Sequence, residues 1–165
     1  MRKLWLLFAL ALVLGVYHAI PFRTSDVASL LPVQTLVIHA AEGQCQVACG
    51  GDLTGTGATL AEALEDLQVD AAGHVFLATA QQIVVSGTGD IWQQLAEMRQ
   101  LRPAAQLYQV ATPPDAVEAT AFLLQHPSPV TLLELRAAQE YGDSVCVPRL
   151  EETQGRYTIA DGTTV

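Results

Sequence analysis

Thr35-Leu36-Val37-Ile38-His39-Ala40-Ala41-Glu42-Gly43-Gln44-Cys45-Gln46-Val47-Ala48-Cys49 changes its pattern once, at Glu42-Gly43. The run from Val33 to Ala40 is apolar and β-branched at its centre, which is the signature of a buried strand. From Gln44 to Cys49 polar and apolar residues alternate, so the side chains of one face are dry and those of the other wet. Glu42-Gly43 supplies the turn between them, and the two runs form a hairpin. Next comes Gly50-Gly51-Asp52-Leu53-Thr54-Gly55-Thr56-Gly57, whose four glycines in eight residues predict a flexible connecting loop.

The pattern then switches to helical spacing. Thr59-Leu60-Ala61-Glu62 reads as a capping box, in which the Thr59 hydroxyl accepts from the Glu62 amide and the carboxylate answers back. Leu60, Leu64 and Leu67 follow on one stripe, with Glu62, Glu65 and Asp66 outside it. A second helix is predicted from Asp90 to Pro103, burying Ile91, Leu95 and Met98. A third opens at Thr112-Pro113 with Val117, Ala121 and Leu124 inward. A fourth opens at Ser128-Pro129 with Val130, Leu133 and Ala137 inward, and ends near Gly142. Short apolar strands lie between these helices: His74 to Ala78, Ile83 to Val85, Leu107 to Val110 and Ser144 to Val147. Arg156 to Ile159 reads as a last edge strand before an Asp161-Gly162 turn. Strands separated by helices predict an α/β domain, a mixed central sheet with helices packed on one or both faces.

Upstream of the hairpin, Leu4 to Ile20 is a seventeen-residue stretch without a formal charge, preceded by Arg2-Lys3 and closed by Pro21. As a helix it spans about 25 Å, near the lower limit for crossing a hydrocarbon core. The positive residues before it favour the cytoplasmic side, which places everything after Pro21 outside. The segment 1–22 is therefore a signal anchor or a signal peptide. Small residues at −3 and −1 are poorly matched at Ala19 and only fairly at Gly15, which favours the uncleaved form. Residues 21–32 read as a juxtamembrane linker, and 23–165 as a single exported domain. From Thr24 onward five arginines face all seventeen acidic residues, a net of −12. Such a surface repels phosphate backbones and anionic lipid headgroups, so nucleic acid is excluded as a partner class.

No reactive constellation stands out. Three cysteines leave at least one unpaired. Cys45 and Cys49 lie about 13 Å apart on one strand face, beyond disulfide reach, and read as buried thiols; Cys146 pairing with one of them is the alternative. His18, His39, His74 and His126 are scattered singly, without a carboxylate at i±2 or i±4 to orient His39 or His74. Val85-Ser86-Gly87 lacks the G-x-S-x-G nucleophile elbow. The glycine-rich 51–57 stretch lacks the lysine of a phosphate-binding loop, and Asp52 opposes an anion. Glu65-Asp66 and Glu151-Glu152 read as solvated acidic faces. No catalytic, cofactor or metal set is predicted, and the chain is expected not to be an enzyme.

The order of segments resembles the N-terminal domain of the Ger(x)C proteins, the C subunits of spore germinant receptors. The resemblance rests on an Arg23-initiated lead into the first strand, and on Gly57, Thr59, Leu60, Ala63 and Leu64 matching a Gly-x-Thr-Leu-x-x-Ala-Leu helix. It continues through Ile83-Val84-Val85-Ser86-Gly87 as the next strand, Arg99 to Val110 as a helix end and strand, and Val147-Pro148-Arg149-Leu150 as a late segment. Three features depart from the pattern. No cysteine ends the hydrophobic segment, and the chain is expected to lack the two further domains of the family. Val37-Ile38-His39 also stands where the family often has Gly-Ile-Asp. The resemblance implies a short, helix-anchored relative on the outer face of the cell membrane, in the spore inner membrane. Its implied partners are A- and B-type receptor subunits, with no cofactor. An envelope ligand-binding module unrelated to germination is the alternative, and an exported hydrolase the remote one.

Overall fold

A computed structural model describes residues 30–50, 52–87 and 90–165. The hydrophobic segment 4–20, His18 and most of the linker lie outside these residues. Among the described residues, no helix is long and apolar enough to cross a membrane.

The hairpin forms as its sequence pattern predicts. Strands β2 (Thr35–Ala41) and β3 (Gln44–Cys49) pair antiparallel, and Glu42 and Gly43 both take positive φ (54° and 77°), the conformation of a two-residue type I′ turn. In front of them β1 (Leu30–Pro32) occupies the end of the expected linker and pairs in parallel with β5 (His74–Phe76).

The glycine-rich stretch is not a loop throughout: Leu53–Gly57 is strand β4, hydrogen-bonded along β3. The glycines serve close approach. A Cβ on Gly55 would stand 2.2 Å from the Ala63 carbonyl oxygen, and one on Gly57 2.5 Å from Glu62 Cβ. Helix α1 (Leu60–Asp70) therefore lies directly on β4 at Gly55 and Gly57, where no side chain holds it off.

Strand β6 (Gln82–Gly87) follows, then α2 (Ile91–Glu97), β7 (Gln106–Val110), α3 (Ala116–Leu123), α4 (Leu132–Tyr141), β8 (Cys146–Thr153) and β9 (Arg156–Thr164). The seven-stranded sheet runs β4-β3-β2-β6-β7-β8-β9. Its centre, β2-β6-β7-β8, is parallel, and both margins are antiparallel. Both β8 and β9 are longer than their sequence patterns indicate. Asp161-Gly162 is no turn but part of β9, passing a register shift opposite Val147 to Arg149.

Alternation along the strands sorts the core onto two faces. Leu36, Ile38, Ile83, Val85 and Leu107 pack with α1, α2 and α4. Val37, Val84, Tyr108, Val110 and Leu150 pack under α3 alone. The expected α1 stripe is buried as read, with Ala63 added. Its cap differs in one arm: Thr59 Oγ1 accepts from the Glu62 amide, while the Glu62 carboxylate accepts from Ala58 rather than Thr59.

Three helix expectations are corrected. In α3 the N-cap is Asp115, whose Oδ1 accepts from the Val117 and Glu118 amides. This late start puts Ala116, Ala119 and Leu123 inside and leaves Val117, Ala121 and Leu124 exposed. In α4 Thr131 and Glu134 form the capping box, so Leu132, Leu135 and Ala138 are buried and Leu133 faces out. Gly142 ends that helix in the left-handed conformation (φ 73°), as its position suggests. Helix α2 stops at Glu97, well before Pro103. Arg136, reaching across from α4, donates from Nε to the Ala96 carbonyl and from Nη2 to that of Met98.

Candidate functional site

In parallel α/β sheets, binding sites gather beyond the carboxyl ends of the strands. Here the register sets His39 of β2 opposite Ser86 of β6, both near those ends. They lie on the face of the sheet shared with Val37 and Val84, and His39 Nδ1 stands 2.6 Å from Ser86 Oγ. Gly87 follows with φ 115°, where a Cβ would stand 2.0 Å from the Ala40 carbonyl oxygen; the close approach of the two strands at this end depends on glycine. The sequence does not show this pairing, because the two residues are 47 positions apart and only the parallel register unites them.

The chemistry available to the pair is limited by access. Ser86 is fully buried, whereas His39 is half-buried and lines an open depression with Glu42, Gln44, Gln46 and Thr56. A nucleophile needs a path for its substrate and a base oriented by a third group. Among the described residues no carboxylate is hydrogen-bonded to His39. The geometry is that of a buried hydroxyl satisfied by an imidazole whose other edge faces water.

The remaining singled-out residues are dispersed. His74 is exposed at the start of β5. His126 stacks on Phe122 (centroids 4.0 Å apart), with Nδ1 2.9 Å from the Phe122 carbonyl oxygen. Cys45 and Cys49 are buried and Cys146 is exposed, and all three are free thiols; burial pushes Cys45 up to about 11 and raises Cys49 as well. Two acidic residues expected to be merely solvated have partners. Asp66 Oδ2 accepts from the Thr56 amide at 2.8 Å, and Glu151 pairs with Arg149. Among the described residues no group of three or more His, Cys, Asp or Glu side chains is placed to hold a metal ion.

What the molecule does present is an apolar line on the outside. Val117 is 59% and Leu124 53% exposed, and with Ala121 between them they run along α3 beside Pro32, Gln34, Thr35 and Gly50 in a shallow groove of about 380 Å³. Sequence reasoning found these residues but placed them in the core.

Comparison with protein-family models, with curated proteins and with solved structures gives no match to this chain.

Proposed function

We propose that this protein is a non-enzymatic subunit or accessory of a membrane complex, resembling the C subunit of spore germinant receptors and acting through protein contacts on the extracytoplasmic side. The observation that carries the reading is the exposed line Val117, Ala121, Leu124 beside Pro32. Apolar side chains at i, i+4 and i+7 in solvent mark a contact surface more often than an accident of packing. Only residues 23–31 separate Pro32 from the 1–22 segment, so an anchor there keeps this face close to the membrane and to proteins embedded in it. The element order adds support. The Gly57-Thr59-Leu60-Ala63-Leu64 segment is a strand end and capped helix, and Ile83–Gly87 lies in the next strand of the main sheet, an order compatible with the resemblance.

The test is copurification of the tagged full chain from detergent-solubilised membranes. Receptor A- and B-like subunits should accompany it, and Leu124→Glu should lose them without lowering the melting temperature. Absence of membrane partners from the unaltered chain would end the proposal. The hydrolase alternative has the His39–Ser86 contact on its side, and a fluorophosphonate probe labelling Ser86 in the folded chain would establish it.

A further inference from the structure

The sheet has two margins, and they are treated differently. Counting from the two-residue hairpin at Glu42-Gly43, backbone groups of β3 alternate between β2 and β4, which leaves Thr54 and Thr56 of β4 pointing outward. The Thr56 amide is taken by Asp66 of α1, and the next amide along, that of Ala58, by Glu62. Carboxylates thus take two successive outward amides at the Thr56 end of that margin, a device that folded sheets use to hinder edge pairing.

The same count applies at the other margin. Gln154 and Gly155 both have positive φ (55° and 73°), the two-residue turn between β8 and β9. Thr153↔Arg156, Glu151↔Thr158 and Arg149↔Ala160 are then the hydrogen-bonded pairs, and Tyr157 and Ile159 direct their amide and carbonyl groups away from the sheet. Among the described residues no side chain is bonded to these groups. The strand is nine residues long, contains no proline or lysine, and leaves Ile159 40% exposed.

We infer that β9 is a homotypic seam: it pairs antiparallel with β9 of a second copy, about a twofold axis through Thr158. The sequence is self-complementary in that register. Tyr157 lies opposite Ile159 of the partner copy and Ile159 opposite Tyr157, an aromatic with a β-branched side chain twice over, and Thr158 meets Thr158. Charge is compatible as well, because Arg156 falls opposite Ala160 and Asp161 toward Gly155, so no charge meets its like across the seam. The occupant is a copy of the same chain, joined through an isologous interface. One strand pair covers less than the ~1,000 Å² of a stable complex, and the acidic surfaces repel, so the association is weak and calls for covalent trapping.

Thr158 and its symmetry mate form a non-hydrogen-bonded pair, with Cα atoms about 4.5 Å apart, inside the window for a disulfide. The experiment uses the full chain in detergent with Cys146→Ser, mild copper-phenanthroline oxidation and non-reducing electrophoresis. Thr158→Cys should give a linked dimer at least ten times faster than Thr163→Cys, which lies on the same strand but far from the axis. Mixing Arg156→Cys with Ala160→Cys should give a mixed dimer. Adding Ile159→Lys to Thr158→Cys should suppress linking while the circular-dichroism melt stays unchanged. Equal rates at positions 158 and 163, or linking indifferent to Ile159→Lys, would overturn the seam. Because no partner protein is involved, neither result depends on the receptor-subunit reading.

Discussion

The contact between His39 and Ser86 depends on one hydroxyl, and its loss is informative because Ser86 is buried while His39 still reaches water. Ser86→Ala should cost about 0.5–1.5 kcal/mol, the net worth of an ordinary hydrogen bond, and should leave any biological phenotype intact. Chemical denaturation together with complementation of a deletion strain measures both, and a folded variant with a null phenotype would point to catalysis. The buried thiols make a second prediction. Burial disfavours the thiolate, so the folded state holds the Cys45 proton longer than the unfolded chain does. The resulting stability is fully present below the ordinary pKa of 9 and is lost as pH rises through the folded value of about 11. Denaturation midpoints should therefore fall between pH 9 and 11, and fall less in Cys45→Ala. At neutral pH iodoacetamide should alkylate Cys146 in the native protein, reaching Cys45 and Cys49 only after unfolding.

At the scale of elements, the sequence was most readable where one local signal acted alone. The β2–β3 hairpin and the Leu60-Leu64-Leu67 stripe came through intact, because a turn and a capping threonine each fixed the phase. Helices α3 and α4 were misphased because each stretch offers competing starts. Thr112-Pro113 loses to Asp115, and Ser128-Pro129 to Thr131, since the later residue supplies the side-chain acceptor that the first turn requires. Strand β4 was hidden for another reason: Gly55 and Gly57 look like loop residues until α1 is seen resting on them. Gly55→Ala should accordingly destabilise by about 3 kcal/mol, since a backbone carbonyl and amide occupy the space a methyl would need. The end of α2 depends on a residue some forty positions downstream, which no local reading reveals. Removing that fork with Arg136→Met should cost about 1.5–3 kcal/mol, the range for bonds to a charged donor. Arg136→Lys should recover only part, because an ammonium cannot serve both carbonyls in that geometry. Equal melting temperatures for the Arg136→Met variant and the parent protein would remove the cap from the account.

For the whole molecule, the question is what an acidic domain with an exposed apolar line, and with one sheet margin unpaired among the described residues, gains from a hydrophobic N-terminal segment. A contact surface that is weak in solution becomes effective when both partners share a membrane, because the tether replaces a free encounter by one at high effective concentration. Residues 4–20 read as a membrane anchor from their sequence, so the segment is expected to matter for location rather than for folding. Deleting residues 4–20 should therefore give a domain whose melting temperature matches that of the full chain within about 2 °C, the scale of small stability changes. The full chain should sediment with membranes and resist carbonate extraction, since a run of seventeen uncharged and mostly apolar residues outweighs any surface electrostatics. The deletion should lose the phenotype although the domain is folded, and replacing residues 1–22 by an unrelated uncleaved anchor should restore it. Fractionation, a thermal melt and complementation with matched protein levels give the three readouts. A soluble domain that complements as well as the full chain would separate the function from the membrane. A deletion that fails to fold would instead assign residues 4–20 to the core.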